Sequence, residues 1–530
     1  MNSLARPSYR WIIALLAIGL VVSLGAAIWI RTPGYMDAEY YFTTALRVVE
    51  EEGFTEPYLW NYLDDPVGIP HPSHLYWMPF TTIISTGSMM IFGTSFRSSQ
   101  IPFLILTIAL PILTALLSIY LHRNQGWAWR SGLLAIFSGF YLPFLLTSDT
   151  FILYAWVGSG ALWAMVEVSR RPSGLRWVGV GVLVGLAHLI RTDGFLLLIP
   201  ALITIRWTDH KRSHAFIGLL IGYLLLIGPW WVRNILIVGQ PIPPGNDRAL
   251  WLLSYDELFT YPGNILTSTR WLGSGFTSIL GARLEAFWTN FQRLLLENGI
   301  VFLSPFMVLG AYRFRSQPLT RIAILYLAIL LFVMSFVFPF AGSRGGFFHS
   351  GVAVMPVLWA LVPPGLEVAI NWGAKVRGWD RREAIKVLGT SVIAIVVILT
   401  GVLFWSKAIG PELNQPRWES GLRTYNEVGD QLRKLSPSPA VVAVNNPPGF
   451  YLATNLECVV IPNGTVDMLR DVIEHYHVGW VVLDVNRPPG LAILYDEPTS
   501  IPWLAHQATI YDAVGREIFI LEVMLESGSR

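Results

Sequence analysis

Apolar residues fall in long runs along this chain, broken by short polar loops. About eleven runs approach spanning length, near 11–30, 101–121, 131–147, 151–168, 177–190, 194–206, 214–232, 299–314, 320–340, 348–368 and 385–405. A helix needs about 20 apolar residues to cross the hydrocarbon core, and ~17 is the lower limit. The pattern therefore predicts a polytopic α-helical membrane protein, with soft boundaries where a run falls short of that limit. The first run follows Arg6 and Arg10 and exceeds the ~7–15 apolar residues of a cleaved signal. It is expected to be a retained span.

The loops between the runs alternate in charge. Arg123 and Arg130 lie in one, Arg170, Arg171 and Arg176 in the next of its side, then Arg206, Lys211 and Arg212. Arg313, Arg315 and Arg321 follow, and the last basic loop holds Lys375, Arg377, Arg381, Arg382 and Lys386. Cytoplasmic loops carry the excess of Lys and Arg. That rule sets the amino terminus in the cytoplasm and everything after the last span outside, in a cell or inner membrane.

Two of the outer loops are long, 31–100 and 233–298. Within the first, residues 38–52 place Tyr41, Ala45, Leu46 and Val49 on one face, as a helix lying in the interface plane does. The apolar stretch 79–93 is too short to cross and reads as re-entrant or interfacial. Beyond the transmembrane part (1–410), the composition turns soluble. A helix near 417–435, strands at 440–444, 458–463 and 479–485, a helix at 465–477 and a terminal hairpin turning at 514–516 predict a small α/β domain over 411–530.

Composition supports this reading and excludes others. The chain of 530 residues is 53% hydrophobic and only 14% charged, with a mean hydropathy of +0.50. Soluble chains carry about 25% charged residues. The 22 tryptophans suit the two membrane interfaces. A net charge of +2 points to no nucleic-acid partner, and the single Cys458 excludes a disulfide framework or a Cys-rich metal site. No phosphate-binding loop, dinucleotide fingerprint or zinc-protease motif is present, and no repeat of spans of the kind many transporters show.

Polar residues with chemical potential gather at the outer ends of the spans. Asp37 and Glu39 follow a Pro-Gly turn at the exit of the first run. On one helix they would project about 200° apart, so Asp37 is either a reactive carboxylate or a helix cap, and Glu39 suits the helix dipole. Asp64, Asp65, His71 and His74 sit in a Pro-rich aromatic loop where sugar, phosphate or metal contacts are open. Arg191 and Asp193 interrupt an apolar stretch, either as a local pair or facing a cavity. Arg233 and Asn234 lie where a span leaves the membrane. Arg344 occupies a Gly-rich turn ending at His349, and its guanidinium fork matches two phosphate oxygens.

These features together resemble the GT-C superfamily of membrane glycosyltransferases, especially bacterial relatives of protein O-mannosyltransferases and aminoarabinose transferases. The likeness rests on Asp37 outside the first span, His71-Pro72 ahead of Tyr76-Trp77, the turn Arg191-Thr192-Asp193-Gly194, and Gly228-Pro-Trp-Trp-Val-Arg-Asn234 followed by Gly239-Gln-Pro-Ile-Pro243. Asp37-Ala-Glu39 is also similar to the first acidic motif of oligosaccharyltransferases, whose Trp-Trp-Asp-Tyr-Gly motif is absent. The resemblance implies a polyprenyl-phosphate-sugar donor and an acceptor hydroxyl at the outer membrane face. It casts Asp37 as base with Glu39 beside it, Arg344, Arg233, Arg191 and His349 on the donor phosphate, and His71, His74, Asp193 and Asn234 as substrate contacts. No metal is required by that scheme, and Mg²⁺ or Mn²⁺ would be the ion if Asp37 and Glu39 held one. A transporter or flippase of lipid-linked sugars, and an oligosaccharyltransferase-like enzyme, are the alternatives.

Overall fold

The computed structural model describes residues 9–171, 173–207, 212–438 and 440–524. Arg6 and Lys211 lie outside the described residues. Every apolar run is helical, but not every run reaches spanning length. Among the described residues, seven helices are long and apolar enough to cross a membrane: Arg10–Ala27, Phe96–His122, Thr150–Arg170, Arg212–Val238, Pro318–Val337, Pro339–Arg377 and Arg381–Ile409. The other four runs appear as shorter pieces, with Gln125–Ile136, Gly174–Ile190, Leu198–Arg206 and Ser304–Arg313 as their longest helices. The run 131–147 breaks where Gly139 takes a positive φ and Pro143 starts a new turn. These short helices pack against the long ones around a common interior of Phe103, Phe151, Trp177 and Trp359, all fully buried.

The first helix, α1 (Tyr9–Ala27), leads through a turn into α2 (Met36–Val49), the expected interfacial helix. Residues 38–45 are buried without a break, so its first two turns are enclosed by the fold on every side rather than resting on one face. The stretch expected to be re-entrant or interfacial is the helix Phe80–Phe92, which packs on α2 through Thr82, whose hydroxyl lies 2.9 Å from that of Thr44. Two strands of the same outer loop, β1 (Thr55–Glu56) and β3 (His71–Pro72), pair antiparallel and pin the loop on itself.

The carboxyl-terminal part forms a mixed sheet with β4 (Val441–Val444), β5 (Cys458–Val460), β6 (Val478–Leu483) and the hairpin β7 (Leu504–Tyr511) and β8 (Glu517–Val523). Helices Pro447–Thr454 and Val466–Tyr476 make the crossovers that parallel strands require. The sequence reading missed the sixth strand. Residues Tyr58–Leu59 of the first outer loop, β2, add to the edge in the order β2-β5-β4-β6-β8-β7, with Tyr58 opposite Cys458. The domain is therefore joined to the membrane part by sheet hydrogen bonds. One apolar core runs through both, from Tyr40, Trp60 and Phe259 to Val442, Val459 and Val481.

Candidate active site

The site begins with a turn that only glycine allows. Gly34 adopts φ +89, and a Cβ there would lie 2.1 Å from the indole nitrogen of Trp418. Trp418 itself donates to the Thr32 carbonyl at 2.9 Å, clamping the turn. The chain then reaches Tyr35 in an extended conformation, without a side-chain cap, and Asp37 enters the first turn of α2. So Asp37 does not cap the helix, and its carboxylate is free to face outward into the cavities.

It meets two partners there. His349 Nε2 stands 3.9 Å from Asp37 Oδ2, and His349 Nδ1 stands 3.9 Å from Asp149 Oδ2. Asp149 accepts a short hydrogen bond from the Tyr35 hydroxyl. One ligand atom from each of Asp37, Asp149 and His349 lies within 4.8 Å of the others. Two carboxylates and an imidazole are a donor set for a divalent cation. Asp149 was missed by the sequence reading, although it is the only carboxylate between Asp65 and Glu167 and stands at the start of a span.

Two cavities open on this cluster, and Asp37, Arg344, Gly345 and His349 line both. One, of about 250 Å³, is walled by Trp60, Tyr76, Trp77 and Tyr255 and includes Arg191 and Asp193. The other, of about 730 Å³, combines Phe140, Phe144 and Leu403 with Arg293, Lys407 and Arg417. Four cations face two carboxylates, Asp37 and Glu297, in the larger cavity, against two and two in the smaller. Gly345 has φ +136, a break that lets Arg344 reach the junction. Its guanidinium rests 5.0 Å from the Tyr255 ring centre, with no carboxylate within ion-pair range among the described residues.

The protein packed around Asp37, with Asp149 beside it, pushes its carboxyl up to about 7, even though a third of the side chain remains open. That value suits a group exchanging protons near neutrality.

The remaining predicted residues separate into two groups. Arg191 belongs to the site, donating to Asp193 at 2.9 Å and to Ser350 at 3.2 Å beside the smaller cavity. The local pair and the cavity both hold. Glu39 does not meet Asp37. It points the opposite way, as the helix geometry required, and accepts from Asn446 Nδ2 of the carboxyl-terminal domain at 2.8 Å. Burial lifts its carboxyl to about 7, against the opposing hydrogen bond from Asn446. Glu39 is therefore not among the ligand atoms that come together here, which among the described residues are those of Asp37, Asp149 and His349.

His71, His74 and Asn234, expected as substrate contacts, and Arg233, expected on the donor phosphate, line neither cavity, and each side chain engages a neighbour inside the fold. His71 is held between Glu56 at 3.2 Å and Asp64 at 3.1 Å. His74 is buried, its ring nitrogen donating to the Trp77 carbonyl at 3.2 Å. Burial, reinforced by the Arg233 charge, holds it neutral with a pKa near 3. Arg233 donates to the carbonyls of Ser73, at 2.8 Å, and Phe54, and Asn234 donates to the Pro241 carbonyl at 3.0 Å. These residues hold the outer loop down onto the spans.

Comparison with known proteins agrees with this architecture. The family model described as dolichyl-phosphate-mannose-protein mannosyltransferase matches residues 71–232. ArnT from Cupriavidus metallidurans bound to undecaprenyl phosphate superposes with a TM-score of 0.56 at 13% identity, over 99% of this chain and 100% of that one. The Archaeoglobus fulgidus oligosaccharyltransferase tethered with an acceptor peptide gives 0.58 at 12% identity, over 96% of this chain and 74% of that one. The archaeal oligosaccharyltransferase AglB from the same organism, in complex with an inhibitory peptide and a dolichol-phosphate, gives 0.54 at 12%, over 98% and 75%. No curated protein matches the sequence. The chain shares the fold of these solved structures.

Proposed function

We propose that this protein is a membrane glycosyltransferase that moves a sugar from a polyprenyl-phosphate carrier to an acceptor hydroxyl at the outer membrane face. The observation that carries the reading is the meeting of two cavities, one cationic and one aromatic, at one shared carboxylate, the half-buried Asp37. The larger cavity takes the donor. Its arginines and lysine offset phosphate charge, and its Phe140, Phe144 and Leu403 face the first prenyl units. The smaller cavity takes the acceptor.

Asp37 accepts the proton of the acceptor hydroxyl as its oxygen attacks the anomeric carbon. The bond from that carbon to the phosphate oxygen breaks, and the carrier phosphate leaves with the bonding pair. Arg344, unpaired and placed at the junction, stabilises the charge developing on that phosphate. Arg191 is held by Asp193 and Ser350 and adds positive potential beside the acceptor. Asp37, Asp149 and His349 are the residues that would hold a divalent cation, which when bound would offset phosphate charge there. The amino terminus is cytoplasmic and the carboxyl-terminal domain lies outside, a placement supported by the arginine-rich loops on one side of the chain.

The test is a donor panel offered to the purified protein, with polyprenyl-phosphate sugars in one arm and nucleotide sugars in the other. Transfer from lipid-phosphate donors alone is expected. Transfer from nucleotide sugars, or none from any lipid-phosphate donor, would overturn the reading.

A further inference from the structure

A third cavity lies away from both active-site cavities and shares no lining residue with either. It holds about 790 Å³ between the helices Ser304–Arg313 and Pro318–Phe332, with Leu294 and Leu295 on its far wall. Its lining is mostly apolar, and its charged residues, Arg315 and Arg321, gather with Thr320 at the loop joining the two helices. Several of its walls are open to the membrane side, with Val308 65% and Tyr312 66% exposed.

The polar end has the features of an anion site. Thr320 is in the first turn of the Pro318–Phe332 helix, whose preceding residue Gln317 supplies no side-chain cap. The first backbone amides of that helix point toward the loop, where the helix dipole favours negative charge. Thr320 is 1% exposed, lines the cavity, and its hydroxyl has no hydrogen-bond partner. Arg315 donates to the Tyr312 carbonyl at 3.0 Å and Arg321 to the Arg315 carbonyl at 2.9 Å. Each uses only part of its fork on these bonds, and no carboxylate pairs with either among the described residues.

We infer that this groove binds an anionic glycerophospholipid, its phosphate against Arg315, Arg321 and the Thr320 hydroxyl and its acyl chain along the apolar wall. A free phosphate would leave most of the cavity unfilled. A zwitterionic lipid would bring its own cation toward two arginines, and basic pockets between spans on the cytoplasmic side select acidic head groups. A polyprenyl phosphate seated here would be cut off from Asp37, since no residue joins this cavity to the site.

Delipidated full-length protein in detergent, mixed with phosphatidylglycerol or phosphatidylcholine and washed, reports the site by mass spectrometry of retained lipid. Phosphatidylglycerol is expected to be retained about tenfold over phosphatidylcholine. The double variant Arg315→Gln/Arg321→Gln should remove that preference, and Arg315→Lys/Arg321→Lys should restore most of it. Ala311→Trp, which fills the groove and leaves the arginines in place, should lower retention of both lipids. Equal retention of the two lipids by the wild type would overturn the inference. So would an unchanged preference in the glutamine variant, or displacement of bound phosphatidylglycerol by an equal amount of undecaprenyl phosphate. If the glutamine variant does not fold, Ala311→Trp and the wild-type preference decide the matter.

Discussion

Two histidines in this protein each stand beside a pair of carboxylates, and the two clusters differ in every respect that bears on chemistry. His71 is gripped by Glu56 and Asp64 at 3.2 and 3.1 Å, with its surroundings closed to a space of about 10 Å³. Burial works against its charge, but the hydrogen bonds it donates to Asp64 and Glu56, with their negative charge, more than offset that and lift it to about 10. Both its nitrogens are spent. His349 stands 3.9 Å from each of Asp37 and Asp149, at the junction of two cavities with room for a ligand between them. A satisfied buried network rigidifies a fold, whereas groups that are near one another but unpaired are available to a substrate. The tight cluster fixes the loop, and the slack one is where we propose that bonds are made.

Substitutions can break this contrast on either side. Removing the charge of Asp37 should cost most, about 10²–10⁴ in turnover with binding little changed. Arg344→Ala should cost about 10²–10³, since it takes away the free guanidinium aimed at the leaving phosphate. Both are read as kcat under saturating donor, with folding checked by thermal unfolding in detergent. Turnover should also rise with pH, about tenfold per unit below pH 7, and level off above it. The sign follows from Asp37, whose raised carboxyl of about 7 must be ionised to accept a proton.

The tight cluster answers to a different measurement. His71→Ala leaves two buried carboxylates unpaired and should cost ~3–5 kcal/mol of stability. Because the folded His71 is raised above its unfolded value of 6.5, its contribution is full below about pH 6.5 and is lost as pH rises through about 10. Unfolding scans at pH 6 and pH 10 should therefore converge in this variant relative to the wild type. The smallest effect belongs to Glu39→Gln, which still accepts from Asn446 and should keep turnover within about threefold.

Much of this architecture was legible in the chain because the bilayer imposes a length that periodicity displays. The helix after the first span, the turn before it, and the strand and helix order of the carboxyl-terminal domain all followed from local pattern. What was not legible depends on distant contact. β2 is two residues long, Tyr58–Leu59, too short for alternation to register, and it exists because β5 offers an open edge. His71 and Arg233 have the residue types of a binding site, yet their partners, Glu56, Asp64 and the Ser73 carbonyl, are brought to them by the fold of the loop. Asp149 and Lys407 carried a readable signal. Each is an ionisable residue at the end of a span, where charge is rare and tends to face a cavity.

The central claim is that the slack cluster reacts and the tight one only supports. The direct measurement compares Asp37→Asn and Asp64→Asn for sugar release from a polyprenyl-phosphate donor, each normalised to folded protein. The account predicts a loss of about 10²–10⁴ for Asp37→Asn and turnover within about threefold of wild type for folded Asp64→Asn. Equal losses in the two, or full activity in Asp37→Asn, would contradict it.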